Sequence, residues 1–194
     1  MFLESIITSE VRIRILIELY SETKQHLYVR ELTRRVDTEI NAVRRELKRF
    51  VKAGLVKKEK RGNRLYYLVR KDHPFYYELV SMVAKEKGIG RKILDNQNKV
   101  GKLKLAVLST AFAEGRQSSQ NELDLLIIGE VNLDALAQVV REASIEMGRE
   151  INYTVLGEEE FNYLKSRRDI FLLSFIASPH ILLVGDPEKY LSFA

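Results

Sequence analysis

The chain has 194 residues and no cysteine, which excludes disulfides, thiolate nucleophiles and cysteine-ligated zinc or iron–sulfur centres. Its three histidines, His26, His73 and His180, lie far apart with no ligand spacing among them. No apolar run approaches the roughly 20 residues that a membrane span requires. The start, Met1-Phe2-Leu3-Glu4, lacks the basic residues and the small-residue cleavage site of a secretory signal. A cytoplasmic protein without membrane association is expected. Internal repeats and low-complexity tracts are also missing. What is present, 45% hydrophobic and 30% charged residues, is the composition of an ordered globular chain. The length suits two domains of about 80–110 residues each.

Charge is divided unevenly. The formal net charge is +5, yet residues 1–72 hold 18 Lys/Arg against 10 Asp/Glu, which leaves 14 against 17 in residues 73–194. A basic half joined to a mildly acidic half is expected where only one domain meets a polyanion. The alternative is a solvated lysine-rich surface of the kind common in heat-stable proteins. Here, however, the charges gather on one helix face and one hairpin.

That helix runs from Glu39 to Gly54. Ile40, Val43, Leu47, Phe50 and Val51 recur at three- and four-residue spacing, which predicts one buried stripe. Asn41, Arg44, Arg45, Lys48 and Lys52 recur on the opposite face, with Glu46 on or near it. Guanidinium, ammonium and amide donors in that arrangement suit phosphates and purine edges in a major groove. Upstream, Thr8-Ser9 offers an N-cap for a helix through Tyr20, and Tyr28–Val36 forms a short second helix. Asp37-Thr38 would end the second helix and cap the third, and Gly54 would stop the third. Leu55–Lys60 and Leu65–Val69 are expected strands around the turn Arg61-Gly62-Asn63-Arg64. After Pro74, an amphipathic helix would place Phe75, Tyr76, Leu79, Val80 and Val83 on one side.

Lys85–Gly90 is the expected linker, giving domains 1–88 and 89–194. The second half alternates a helix at Arg91–Lys99, strand Leu103–Ser109, a loop, strand Leu123–Ile128, helix Leu133–Met147, strand Ile151–Leu156, helix Glu158–Ser166, one further helix and strand Ile181–Val184. Such alternation implies a sheet covered on at least one face. The expected fold class is α+β with two domains, the second carrying a mixed sheet.

The first half resembles winged helix-turn-helix regulators of the ArsR/MarR type. The likeness covers about residues 5–85 and is carried by the helix–turn–helix, by Ala53-Gly54-Leu55-Val56 and by Gly62-Asn63-Arg64-Leu65-Tyr66-Tyr67. It implies that Asn41, Arg44, Arg45, Lys48 and Lys52 face the major groove of double-stranded DNA. It implies further that Lys60, Arg61, Asn63 and Arg64 on the wing touch backbone or minor groove, and that Arg30, Arg34 and Arg35 touch phosphate. A regulator of this type binds as a two-fold homodimer. The candidate dimer surfaces are Phe2, Leu3, Ile6 and Ile7 or the helix Phe75–Val83; the alternative for either is packing within the chain, between the two domains.

The second half resembles a minimal nucleotidyltransferase domain. The resemblance rests on Leu105–Gly115 followed by Asn121-Glu122-Leu123-Asp124-Leu125-Leu126-Ile127-Ile128-Gly129. The family pattern is a strand, Gly-Ser-x-x-x-Gly, a loop, and Asp-x-Asp opening the next strand. The glycine and serine cradle a triphosphate, and the carboxylates hold magnesium. In this chain Thr110-Ala111 replaces Gly-Ser, Glu122 replaces the first aspartate, and Ile151–Leu156 offers no third carboxylate. Only Gly115 and Asp124 match outright, and Glu114 stands where a basic residue is common. The expectation is a domain that keeps the fold without catalysis, needs no cofactor or metal, and serves dimerisation, docking to a protein partner or sensing of a small effector. Glu122 and Asp124 would be solvated carboxylates at the mouth of a strand, or weak ligands of a divalent ion. On that basis Asp124→Asn should leave stability and DNA binding nearly unchanged. An active nucleotidyltransferase delivered by a DNA-binding domain, or an antitoxin-like interaction protein, is the alternative.

Overall fold

A computed structural model describes residues 2–119 and 122–192. The chain is α+β and divides into two compact units, Met1–Glu86 and Lys87–Ala194.

In the first unit a single 3-10 turn, Leu3–Ser5, precedes α1 (Glu10–Tyr20). Ser9 caps α1 as its position suggests, its Oγ accepting the Arg12 N–H at 3.3 Å. Strand β1 (Leu27–Tyr28) occupies the place where the second helix was expected to start, and α2 covers Val29–Arg35. Asp37 turns the chain with a left-handed φ of 47°, and α3 runs over Ile40–Lys52. The N-cap of α3 is Glu39, with no side-chain hydrogen bond; Asp37 and Thr38 stand two residues and one residue before that position and do not supply the cap. Strands β2 (Val56–Arg61) and β3 (Arg64–Val69) form the expected hairpin, and β1 pairs with β3 to complete an antiparallel sheet of order β1-β3-β2. Helix α4 (Tyr76–Glu86) follows. It buries Tyr76, Val80 and Val83, whereas Phe75 precedes it and is 64% exposed, so that residue does not share the apolar side.

The second unit opens with α5 (Gly88–Asp95) and α6 (Gln97–Val100). The expected linker is therefore mostly helical, and Gly88, Ile89 and Gly90 are buried rather than solvated. Then come β4 (Gly101–Ser109), α7 (Thr110–Ala113), β5 (Leu125–Val131), α8 (Leu133–Met147), β6 (Tyr153–Leu156), α9 (Glu158–Ser166), α10 (Ile170–Ala177), β7 (His180–Gly185) and α11 (Pro187–Leu191). The sheet order is β6-β5-β4-β7. Only β5 and β6 are parallel, so the sheet is mixed. Leu105, Val107, Leu126 and Ile128 of the central strands pack with Phe161, Leu172, Phe175 and Tyr190 from the helices.

Strand β4 is irregular against both neighbours, with register shifts at Leu103/Leu105 toward β5 and Ala106/Val107 toward β7. Glycine makes this possible on each side. A Cβ on Gly129 (φ 149°) would lie 2.2 Å from the Lys102 carbonyl oxygen, and one on Gly185 (φ 94°) 2.0 Å from that of Lys104. No side chain fits at either distance.

Candidate functional site

Two groups of predicted residues can be followed into the structure. On α3 the buried face is Val43, Leu47 and Phe50, with Ile40 and Val51 half-buried. Asn41, Arg44, Arg45, Lys48 and Lys52 are all exposed, so the helix brings them together on one surface. Arg45, Lys48 and Lys52 make no ion pair among the described residues, and Arg44 reaches Asn41 Oδ1 only at 3.5 Å. Glu46 departs from its expected place. It is buried, its carboxylate accepting Arg12 Nε at 2.8 Å and Arg49 Nη1 at 3.0 Å. The acidic group is thus withdrawn from the basic face; its bond to Arg12 ties α3 to α1, and its bond to Arg49 lies within α3.

Around that face the remaining cations are held to different degrees. Arg30 and Arg34 are exposed on α2, and with Tyr28, Thr33 and Ile40 they line a shallow depression. Arg35 is occupied, pairing with Glu31 at 2.7 Å and Glu18 at 3.5 Å. It is consequently less available to phosphate than its neighbours on α2. At the hairpin tip Lys60, Arg61, Asn63 and Arg64 are exposed. Tyr67 points into the core, while Tyr66 packs edge-on against Tyr28 with ring centroids 5.8 Å apart. The Arg61 guanidinium lies 5.7 Å from the Tyr66 ring and that of Arg64 5.1 Å from the Tyr28 ring. The hairpin arginines are thereby held against an aromatic pair. Arg61 also bonds Glu59 at 2.7 Å and holds that carboxyl below its ordinary pKa.

The second group lies where β4 meets β5. Ser109 ends β4, and its Oγ accepts the Phe112 N–H at 3.4 Å to start α7. Thr110 is buried at the first position of that helix and Ala111 half-buried beside it. Gly115, at φ 90°, turns the chain into the loop that leads to Glu122 and Asp124. Asn121 lies outside the described residues. Both carboxylates precede β5, which begins at Leu125.

Each is already engaged. Glu122 accepts the Ser119 N–H at 2.9 Å and the Ser119 hydroxyl at 3.2 Å on one oxygen, and Arg116 at 2.8 Å on the other. The Ser119 amide first, then Arg116, hold its pKa below the ordinary value. Asp124 is 1% exposed, so it is not a solvated carboxylate at a strand mouth. The Ser118 hydroxyl donates to one oxygen and the Asn152 N–H to the other at 2.8 Å. Burial outweighs these donors and pushes its pKa up. Asn152 also donates its side-chain amide to the Ser119 and Glu122 carbonyls, at 2.8 and 3.0 Å.

Arg149, which sequence reasoning passed over, completes the arrangement. It donates to the Phe112 carbonyl at 2.9 Å and the Arg116 carbonyl at 3.2 Å, and its guanidinium sits 3.8 Å from the centroid of the Phe112 ring. No spacing signal links it to α7, because the contact bridges more than 30 residues. Strand β6 brings no carboxylate beside Asp124, and no group of three or more potential metal ligands gathers among the described residues. With every oxygen of Glu122 and Asp124 already accepting a protein donor, this arrangement holds a loop closed.

The chain is similar to a protein of Methanocaldococcus jannaschii named as a candidate protein adenylyltransferase. The two are 31% identical over 62 residues, which is 32% of this chain and 62% of the relative. The chain thus spans less than two thirds of the relative it matches. The likeness supports a nucleotidyltransferase-like region in this chain. No family model and no solved structure matches.

Proposed function

We propose that this protein is a sequence-specific duplex-DNA-binding regulator. Its first unit acts as a winged helix-turn-helix, and its nucleotidyltransferase-like region has given up catalysis for dimerisation, docking or sensing. The observation that carries this reading is the face of α3: five exposed donor side chains on one surface, with the one acidic residue of the helix, Glu46, turned inward. Lys48 and Lys52 would neutralise phosphate, and Arg44, Arg45 and Asn41 have the donor geometry for purine edges. The arginines of the β2–β3 hairpin, held by Tyr28 and Tyr66, would reach the flanking backbone.

Selection of bound duplexes from a fragmented genome identifies a site, and fluorescence anisotropy then compares that site with a scrambled duplex. Arg45→Ala should weaken specific binding by about 1–3 kcal/mol while leaving non-specific binding nearly intact. Equal losses on both duplexes would make Arg45 a phosphate contact and remove the basis for base readout.

A second reading, nucleotidyl transfer onto a protein or nucleic acid, is favoured by the likeness to the M. jannaschii protein. Against it stands the engagement of each oxygen of Glu122 and Asp124 by a protein donor. Magnesium-dependent incorporation of labelled nucleotide into a cell extract by the full chain, lost in Glu122→Gln, would establish it. Absence of incorporation leaves the regulator reading.

A further inference from the structure

Helix α10 is apolar along nearly its whole length, Ile-Phe-Leu-Leu-Ser-Phe-Ile-Ala, yet it buries only Leu172, Phe175 and Ile176. Ile170 is 85% exposed and Phe171 43% exposed, and on the preceding helix Tyr163 is 59% exposed. A helix apolar on every side belongs in an interior, so among the described residues this face lacks a cover. The charges beside it are ordered. Glu160 and Tyr163 of α9 and Arg167 at its C-cap are exposed at i, i+3 and i+7, a single strip along the helix, with the Arg167 guanidinium 5.7 Å from the Tyr163 ring centroid and donating to its hydroxyl at 3.3 Å. Glu160 and Arg167 stand equally far, about 5 Å along the axis, on either side of the Tyr163–Leu164 step.

An acidic or a basic foreign surface would match only half of this strip. A second copy matches all of it. A two-fold axis across the Tyr163–Leu164 step sets Glu160 against Arg167 of the partner subunit, and the same pair recurs by symmetry, with tyrosines meeting at the centre; Ile170 and Phe171 follow three and four residues beyond Arg167, within reach of that contact. We propose that the α9–α10 face is the contact surface for a second copy of this chain. The inference stands apart from the DNA-binding reading. Because the face is smaller than the roughly 20–30 residues a side of a standard interface, a dimer of micromolar strength is expected.

The test is sedimentation velocity of the full chain without DNA, over a low-micromolar to submillimolar series. Wild type should shift from monomer to dimer. Glu160→Arg and Arg167→Glu, each placing like charges opposite one another twice, should each raise the dissociation constant at least about tenfold. An equimolar mixture of the two should form a heterodimer, and the double variant should recover the homodimer. Circular dichroism of each variant checks that the fold is kept. A wild type that stays monomeric throughout overturns the proposal. So do single variants that dimerise as tightly as wild type, which would move the contact to another surface, and a mixture that does not reassociate.

Discussion

At the scale of single residues, Asp124 shows how burial changes what a carboxylate does. Its two oxygens accept the Ser118 hydroxyl and the Asn152 N–H, and water has almost no access to it. The sequence-based expectation that Asp124→Asn would be silent for stability is therefore revised. Asparagine keeps an oxygen for the Asn152 N–H but turns an NH2 group toward the Ser118 hydroxyl, which must change from donor to acceptor, and both bonds lose the carboxylate's charge; the loss should be about 1 kcal/mol, read as a lower urea midpoint at neutral pH. An unchanged midpoint would mean that the loop closes without these bonds. The raised pKa of Asp124 adds a separate, pH-dependent contribution of definite sign: the stability gained from holding its proton more tightly in the fold is present below the unfolded-chain value and is lost as pH rises through the folded one, leaving its hydrogen bonds at neutral pH. Glu122 and Asp124 were legible as a pair from their spacing. Their donors were not, since Ser118 lies across a loop and Asn152 is 28 residues away.

At the scale of elements, periodicity and caps fixed most of the helices. The bounds expected for α8 and α9 are those observed, with Asn132 capping the start of α8 and Gly148 closing its end at φ 64°. Elements that exist only through pairing or packing were invisible. Strand β1 has two residues and is defined by its bonds to β3, α7 spans a single turn, and α11 follows the last strand without a hydrophobic period of its own. The docking of α11 also gives a pH test. Glu158, at the start of α9, bonds Lys104 of β4 as well as Lys189 and Tyr190 of α11, the last two at 2.9 Å. These partners, Lys104 foremost, pull its pKa down to about 2. Its folded value lies below the unfolded one, so its stabilisation is present above the ordinary value of 4.5 and is lost as pH falls toward about 2. Urea midpoints measured down through that window should fall for wild type and fall less for Glu158→Gln. Identical acid limbs would show that the cluster contributes nothing to folding.

At the scale of the whole molecule, the charge division seen in the sequence follows the two units, with 19 Lys/Arg against 12 Asp/Glu in Met1–Glu86 and 13 against 15 in Lys87–Ala194. If the basic unit neutralises six or more phosphates, duplex affinity should fall about a thousandfold between roughly 50 and 200 mM salt. A nearly flat salt dependence in a titration series would exclude DNA as the partner of that unit. The pinched course of β4 between Gly129 and Gly185 bears on any survey of mutational tolerance. Those glycines sit toward the opposite end of β4 from Ser109, against carbonyls that leave no space for a methyl group. In a saturation library scored by growth or abundance, both columns should be blank for all replacements, while Arg45 and Lys48 vary freely unless the selection demands their ligand. Intolerance would then map the architecture of this chain, and its chemistry would surface only under a screen that asks for binding.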